Sequence, residues 1–188
     1  FAGADYVFHL AALPRIQPSF DSPVEHERIN VEGTISCLLA ARENRQLKKF
    51  VISSSSACYG TPSELPTTEL AAISCMNPYA LQKYTSEQYG LILGRHFGIP
   101  LVSLRYFNAY GPRSFNPKNP FNAYSSVIGV FHRQKNEGKP LTVTGDGKQA
   151  RDFVHVWDIA QANLLAALSD KEFEVFNVGS GTSVSINE

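Results

Sequence analysis

The sequence is poor in cysteine and has no excess of either charge, and each shortage excludes a class of function. Cys37, Cys58 and Cys75 are odd in number, widely spaced and not in a Cys-x-x-Cys. They support neither a disulfide framework nor a zinc site, so no metal is expected, and they fit a reducing, cytoplasmic compartment. Basic and acidic residues number 17 each, for a formal net charge of zero. Nucleic acids and anionic membrane surfaces select a basic excess or a charge block, so neither is expected as a partner. No apolar run approaches the roughly 20 residues of a membrane span, and no segment reads as a signal peptide. A phosphate loop is absent too: "TGDGK" lacks the Gly-Lys-Ser/Thr ending and the following helix, so Gly145 and Gly147 read as turn residues.

What is there is a hydrophobic content of 43% over 188 residues, enough for one domain, or a domain and a half, with its own core. Short apolar segments alternate with helical ones. "YVFHLAA" (6–12) predicts a buried strand, and the apolar spacing from Pro23 to about Asn44 predicts a helix opened by Asp21 or Ser22. "KFVISSS" predicts a second strand and residues 60–78 a loop. A helix is expected over 79–97, ended by Gly98 and Pro100, and "LVSLRYF" (101–107) predicts a third strand. Residues 111–122 form a long loop with three prolines, a length that suggests binding. A helix over about 123–137, a short strand and turn over 141–147, a helix near 156–169 and a strand over 174–179 complete the expectation. The alternation predicts an α/β fold, a doubly wound parallel sheet in which ligands sit beyond the carboxyl ends of the strands. Those ends here are "HLAA", "SSSSACYG" and "RYFNAYG".

Tyr79 and Lys83 stand four apart at the start of a helix and share one face. A free tyrosine has a pKa of roughly 10 and is a poor base at neutral pH. A nearby ammonium favours the phenolate, and a hydroxyl from a strand end can complete a proton relay. That set suits removal of a hydroxyl proton from a substrate as hydride leaves its carbon. His9, in an apolar strand, is read as a satisfied core histidine, and Asp158 as a helix cap.

"VFHLAA", "NVEGT", "FVISSSSACYG", "NPYALQKYTSEQ", "SLRYFNAYGPR", "TGDGKQARDFVHVWDIAQA" and "FNVGSGTSVSINE" occur in this order and cover essentially the whole chain. Together they resemble the extended short-chain dehydrogenase/reductase family, in particular its NAD-dependent nucleotide-sugar epimerases. The resemblance implies a Rossmann-like NAD-binding fold over 1–110, followed by part of a small substrate-binding region over 111–188 interleaved with the last Rossmann elements. It implies Ser55, Tyr79 and Lys83 as the catalytic set, with Tyr79 as base and Lys83 holding the nicotinamide ribose and tuning Tyr79. Leu10, Ala11, Ala12, Asn30, Ser53, Tyr106 and Phe107 would contact the cofactor with them, although by position Leu10 and Ala11 are core-like. Ser55, Ser56, Asn108, Val127 and Arg151 would hold a UDP-sugar, Asn108 and Arg151 at the diphosphate and Val127 at the uridine. Ser53 and Ser54 are expected to pack or hydrogen-bond at the sheet edge. The family's mode of assembly implies a homodimer through helices at about 24–44 and 79–97.

Within the family, dehydratases carry Asp-Glu, and decarboxylases a glutamate, where this chain has Ser56 and Ala57. Alanine has no proton to give or take. The resemblance therefore implies an epimerase, which oxidises C4 of a UDP-hexose with NAD and returns the hydride to the other face. The family's opening Gly-x-x-Gly-x-x-Gly strand and turn is not found. The chain, beginning at Phe1 and ending in "SINE", is read as an internal piece of a longer protein, and on its own is expected to bind NAD poorly or not at all. The alternatives are another NAD-dependent nucleotide-sugar enzyme (a UDP-glucuronate epimerase, a dehydratase or a reductase) or a non-catalytic NAD-binding protein on the same fold.

Overall fold

The computed structural model describes residues 1–114 and 127–188. In chain order its elements are β1 (Tyr6–His9), α1 (Ile16–Asp21), α2 (Pro23–Glu27), a π-helical turn (Arg28–Glu32) and α3 (Gly33–Ala41). Next come β2 (Lys49–Ser55), a 3-10 turn (Ser56–Tyr59), α4 (Pro78–Phe97), β3 (Leu101–Tyr106), β4 (Asn108–Tyr110) and α5 (Val127–Asn136). The chain closes with β5 (Ala150–Arg151), β6 (Phe153–His155), α6 (Val156–Leu168), β7 (Glu174–Val178) and β8 (Val184–Ser185). Two compact units result, one of residues 1–106 with 161–178, the other of 107–160 with 179–188.

The first unit is an all-parallel sheet in the order β1-β2-β3-β7. Residues 49–54 of β2 are all buried, as a parallel strand covered on both faces requires. Phe50 and Ile52 of β2, Leu101 of β3, Leu38 of α3 and Leu91 of α4 form the core. Burying each such side chain contributes about 1.5–3 kcal/mol. Helix α4 lies close on the sheet because Gly90 has no Cβ; one there would collide with Cδ1 of Ile52. The helix stops at Gly98, whose left-handed φ of 66° lets its N–H reach the Gly94 carbonyl. The register sets Ser55 beside Tyr106, and Tyr106 beside Val178, so the carboxyl ends of β2, β3 and β7 are level.

In the second unit β4 pairs in parallel with β6, and β5 antiparallel with β8. At two or three residues each, these strands are too short for alternation to reveal. Gly145 and Gly147 occupy turns at φ 73° and 72°. Among the described residues no helix is long and apolar enough to cross a membrane.

Several expectations change. The first strand ends at His9, not Ala12, because the Asn30 amide takes both backbone groups of Leu13 (2.7 and 3.1 Å) and draws the chain out of the sheet. Leu10 and Ala11 are consequently exposed rather than core-like. The single helix over 23–44 is α2, a π-helical turn and α3, and it is preceded by an unexpected α1. Residues 141–147 form no strand. Thr142 instead bonds the Gln134 side chain through its N–H (3.1 Å) and its hydroxyl (2.8 Å). Asp158 is not a cap: α6 begins at Val156, which puts Asp158 inside the first turn, where its charge suits the helix dipole. Strand β2 is internal, so Ser53 and Ser54 are not at a sheet edge. Residues 115–122 of the expected loop and 123–126 of the expected helix lie outside the described residues.

Candidate active site

In the first unit the site grows from the start of α4. The Asn77 side chain caps the helix through the Ala80 N–H (2.9 Å), and Pro78 takes the first position, where its missing N–H costs nothing. The Tyr79 N–H donates to the Ser19 hydroxyl of α1 (3.1 Å), and Ser19, fully buried, donates to the Ile16 carbonyl (2.6 Å). Two short segments thus fix where the Tyr79 side chain leaves the helix.

Burial pushes the Tyr79 phenol above its ordinary pKa, while the nearby Ser55 hydroxyl and the charge of the Arg15 guanidinium pull it down. Ser55 is held in turn, its hydroxyl accepting from the Ala57 N–H (3.2 Å) as cap of the 3-10 turn. Ser55, at the carboxyl end of β2, thus comes near enough to the Tyr79 phenol to influence its ionisation. Lys83 follows one helical turn later and is buried. Burial lowers its pKa to about 8, against the Glu87 carboxylate, which raises it. No group among the described residues accepts a hydrogen bond from the Lys83 ammonium. A largely buried lysine whose ammonium finds no protein acceptor among the described residues fits a polar ligand such as a ribose hydroxyl pair. His9 is a satisfied core histidine, bonded to the Thr34 hydroxyl (2.9 Å).

Asn30 is placed differently from the reading above. It is buried in the π-helical turn, and its amide is committed to Leu13 and to Gln82 of α4 (3.2 Å). It shapes the exposed Leu10–Ala12 turn instead of offering that amide to a ligand. Burial raises the pKa of the Tyr106 phenol, which donates to Asn163 (2.9 Å), and the nearby Ser53 hydroxyl lowers it. Ser54 is buried with its hydroxyl unpartnered, and Ser56 is half-exposed at the start of the 3-10 turn.

The second unit gathers a different set. Asn108, Val127 and Arg151 line one cavity of about 300 Å³, together with Thr142, Gln149 and Phe153. The Asn108 amide donates to the Asp152 carbonyl (2.9 Å), and Arg151 is exposed, its guanidinium bonded among the described residues only to the adjacent Ala150 carbonyl (2.8 Å). Phe107 is half-buried close to Gly179. No cluster of His, Cys, Asp or Glu among the described residues could hold a metal ion.

Residues 1–179 match the NAD-dependent epimerase/dehydratase family. The chain belongs to that family. It is 39% identical, over its whole length, to a putative UDP-glucose 4-epimerase of Methanocaldococcus jannaschii, of which it spans 59%. It is 36% identical to a UDP-N-acetyl-alpha-D-glucosaminuronate decarboxylase of Bacillus cytotoxicus, covering 98% of this chain and 56% of that one. Among solved structures, 97% of the chain superposes on 57% of the UDP-N-acetylglucosamine 4-epimerase from Methanobrevibacter ruminantium M1 in complex with UDP-N-acetylmuramic acid, with a TM-score of 0.90 at 39% identity. The chain thus spans somewhat over half the length of these relatives.

The sequence reading missed a buried polar network beside the family's Tyr-x-x-x-Lys. Glu87, fully buried on α4, receives Arg105 of β3 through two nitrogens (2.6 and 3.0 Å) and the Ser103 hydroxyl (3.2 Å). Arg105 also donates to the Tyr59 phenol (2.8 Å), which donates to Asn177 of β7 (2.7 Å). Burial lowers the Arg105 pKa, but its hydrogen bonds to Glu87 and Tyr59 outweigh that and raise it. The available signal was Glu87 four residues after Lys83, with an arginine inside an otherwise apolar strand.

Proposed function

We propose that the full-length protein is an NAD-dependent nucleotide-sugar epimerase that inverts C4 of a UDP-hexose. The observation that carries this is the nearness of Ser55, at the carboxyl end of β2, to Tyr79, at the start of α4, with only Ala57 at the position where a dehydratase needs a second acid/base. When bound, NAD would supply a reversible hydride acceptor for C4. Tyr79 removes the 4-hydroxyl proton and gives it back, and Ser55 passes that proton between the sugar oxygen and the phenol. One tyrosine and one hydroxyl serve both directions, so no further acid is required. Lys83 would hold the nicotinamide ribose with its unpartnered ammonium, and the Leu10–Ala12 turn, Ser53, Tyr106 and Phe107 would contact the same cofactor. Asn108 and Arg151 would hold the diphosphate, where a guanidinium fork suits phosphate oxygens, and Val127 the uridine. Residues 1–110 belong in this reading with the dinucleotide-binding part, and 111–188 with the substrate-binding part interleaved with the last elements of the parallel sheet, β7 among them. Assembly as a homodimer through α2–α3 and α4 fits the exposed Leu81 and Ile92 of α4.

The test is turnover by the complete reading frame. It is expected to interconvert UDP-glucose and UDP-galactose, or the corresponding N-acetyl pair. A protein that holds NAD and epimerises neither pair overturns the proposal.

Lys83 gives a second, independent readout. Its charged form is present below about 8 and lost above, because burial has lowered the folded-state pKa. NAD affinity of the full-length protein is therefore expected to fall as pH rises through about 8, measured by calorimetry. In Lys83→Arg, which stays charged throughout, that fall should disappear.

A further inference from the structure

Beyond its charge acting on Tyr79, Arg15 has no part in the substrate and cofactor contacts assigned above, yet its setting is unusual. It precedes α1 with φ 101°, a backbone conformation that side-chain-bearing residues avoid. Its Nε is buried without a hydrogen-bond partner, and no carboxylate among the described residues pairs with it. Burial lowers its pKa, opposed by the charge of Tyr79. The segment it opens is the one that clamps Tyr79 through Ser19. A half-desolvated guanidinium is thus held beside the proposed base with its donors uncommitted.

A cation in that position needs an acceptor in the working complex. The Tyr79 phenolate is a single oxygen and cannot occupy a fork of five N–H donors. A plain hydroxyl is a weak acceptor that a neutral donor serves equally well. Carbonyl-type oxygens, and above all carboxylates, match the fork in geometry and charge.

We propose that Arg15 determines substrate specificity by contacting the sugar beside Tyr79 and holding a carbonyl-type oxygen on it, the carboxylate of a hexuronate or the carbonyl of an acetamido group. This rests on Tyr79 being the base and a nucleotide sugar the substrate.

The test uses the full-length, NAD-loaded protein with UDP-glucose, UDP-N-acetylglucosamine and UDP-glucuronate, reading both Kd and kcat/KM. Arg15→Gly removes the side chain and accepts φ 101° without strain, and unchanged melting temperature establishes an intact fold. For at least one of the two carbonyl-bearing sugars, Arg15→Gly should weaken binding and lower kcat/KM by about 100-fold more than it does for UDP-glucose, whose smaller loss reflects only the charge withdrawn from beside Tyr79. Arg15→Lys distinguishes the two sources. It should retain part of the effect for the glucuronate, through charge alone, and little for the acetamido sugar. An equal loss on all three sugars, or no loss on any, overturns the proposal. Arg15-dependent binding without epimerisation would sink the functional reading and leave this one standing. Epimerisation of a carbonyl-bearing sugar unaffected by Arg15→Gly would do the reverse, and a wild-type protein that binds none of the three defeats both.

Discussion

Tyr79→Phe should lower turnover of the full-length protein by about 10³-fold, within the range that a positioned general base supplies. The substitution removes one oxygen. The ring stays in place, and so does the Tyr79 N–H bond to Ser19 that fixes the start of α4. Substrate and NAD affinity should change little, so the loss falls on kcat. Its cause is specific. Burial alone would make the phenol a worse base, and the structure counters that with the Ser55 hydroxyl and the Arg15 charge. Ser55→Ala should therefore reproduce a smaller part of the same loss, because it takes away both a relay oxygen and one of the two influences that favour the phenolate. Steady-state kinetics of the two variants against wild type checks both statements. An unchanged kcat in Tyr79→Phe would remove Tyr79 from the mechanism.

Glu87→Gln should be the most destabilising single polar substitution in the first unit. Glu87 and Arg105 have side-chain exposures of 0% and 6%, so neither charge is offset by solvent. Removing one partner strands the other as a buried, unpaired charge, at a cost of about 3–5 kcal/mol. Arg105 would keep the Tyr59 phenol, a long contact to the Glu69 carbonyl (3.4 Å) and at most the one neutral carbonyl oxygen of the new amide. Urea denaturation should show the transition midpoint of Glu87→Gln far below wild type. Replacing Glu87 and Arg105 together by Met should recover much of that loss, since a packed apolar pair leaves no charge behind. A double variant as unstable as the single one would mean that the hydrogen bonds to Tyr59 and Ser103, not the charge balance, hold this region.

The parts legible in the sequence were those with a long signal. Twenty residues of α4, bounded by Asn77 and Gly98, and the continuous apolar runs of β2 and β3 announce themselves through length, capping and composition. The strand-end rule together with the family resemblance is what led to the expectation that Ser55 acts with Tyr79. What stayed hidden depended on contacts between distant segments. That Asn30 would serve Leu13 and Gln82 cannot be read from its own surroundings, because those partners lie 17 and 52 positions away. Arg15 sits in a loop with no periodic pattern, and its nearness to Tyr79 exists only once α1 has docked on α4 through Ser19. The apolar "LTVT" reads as a strand until a neighbouring Gln134 is seen to take its backbone donor.

The division into two units also governs how the gene can be dissected. The backbone passes from one unit to the other after Tyr106, after Ala160 and after Val178. Neither unit is an uninterrupted segment, so no single stop codon or protease cut yields one of them whole. An expression clone ending near Tyr106 would lose β7 from the edge of the sheet, and with it the Asn177 partner of Tyr59. To isolate the first unit, residues 107–160 must be replaced by a short linker and the chain ended at Val178.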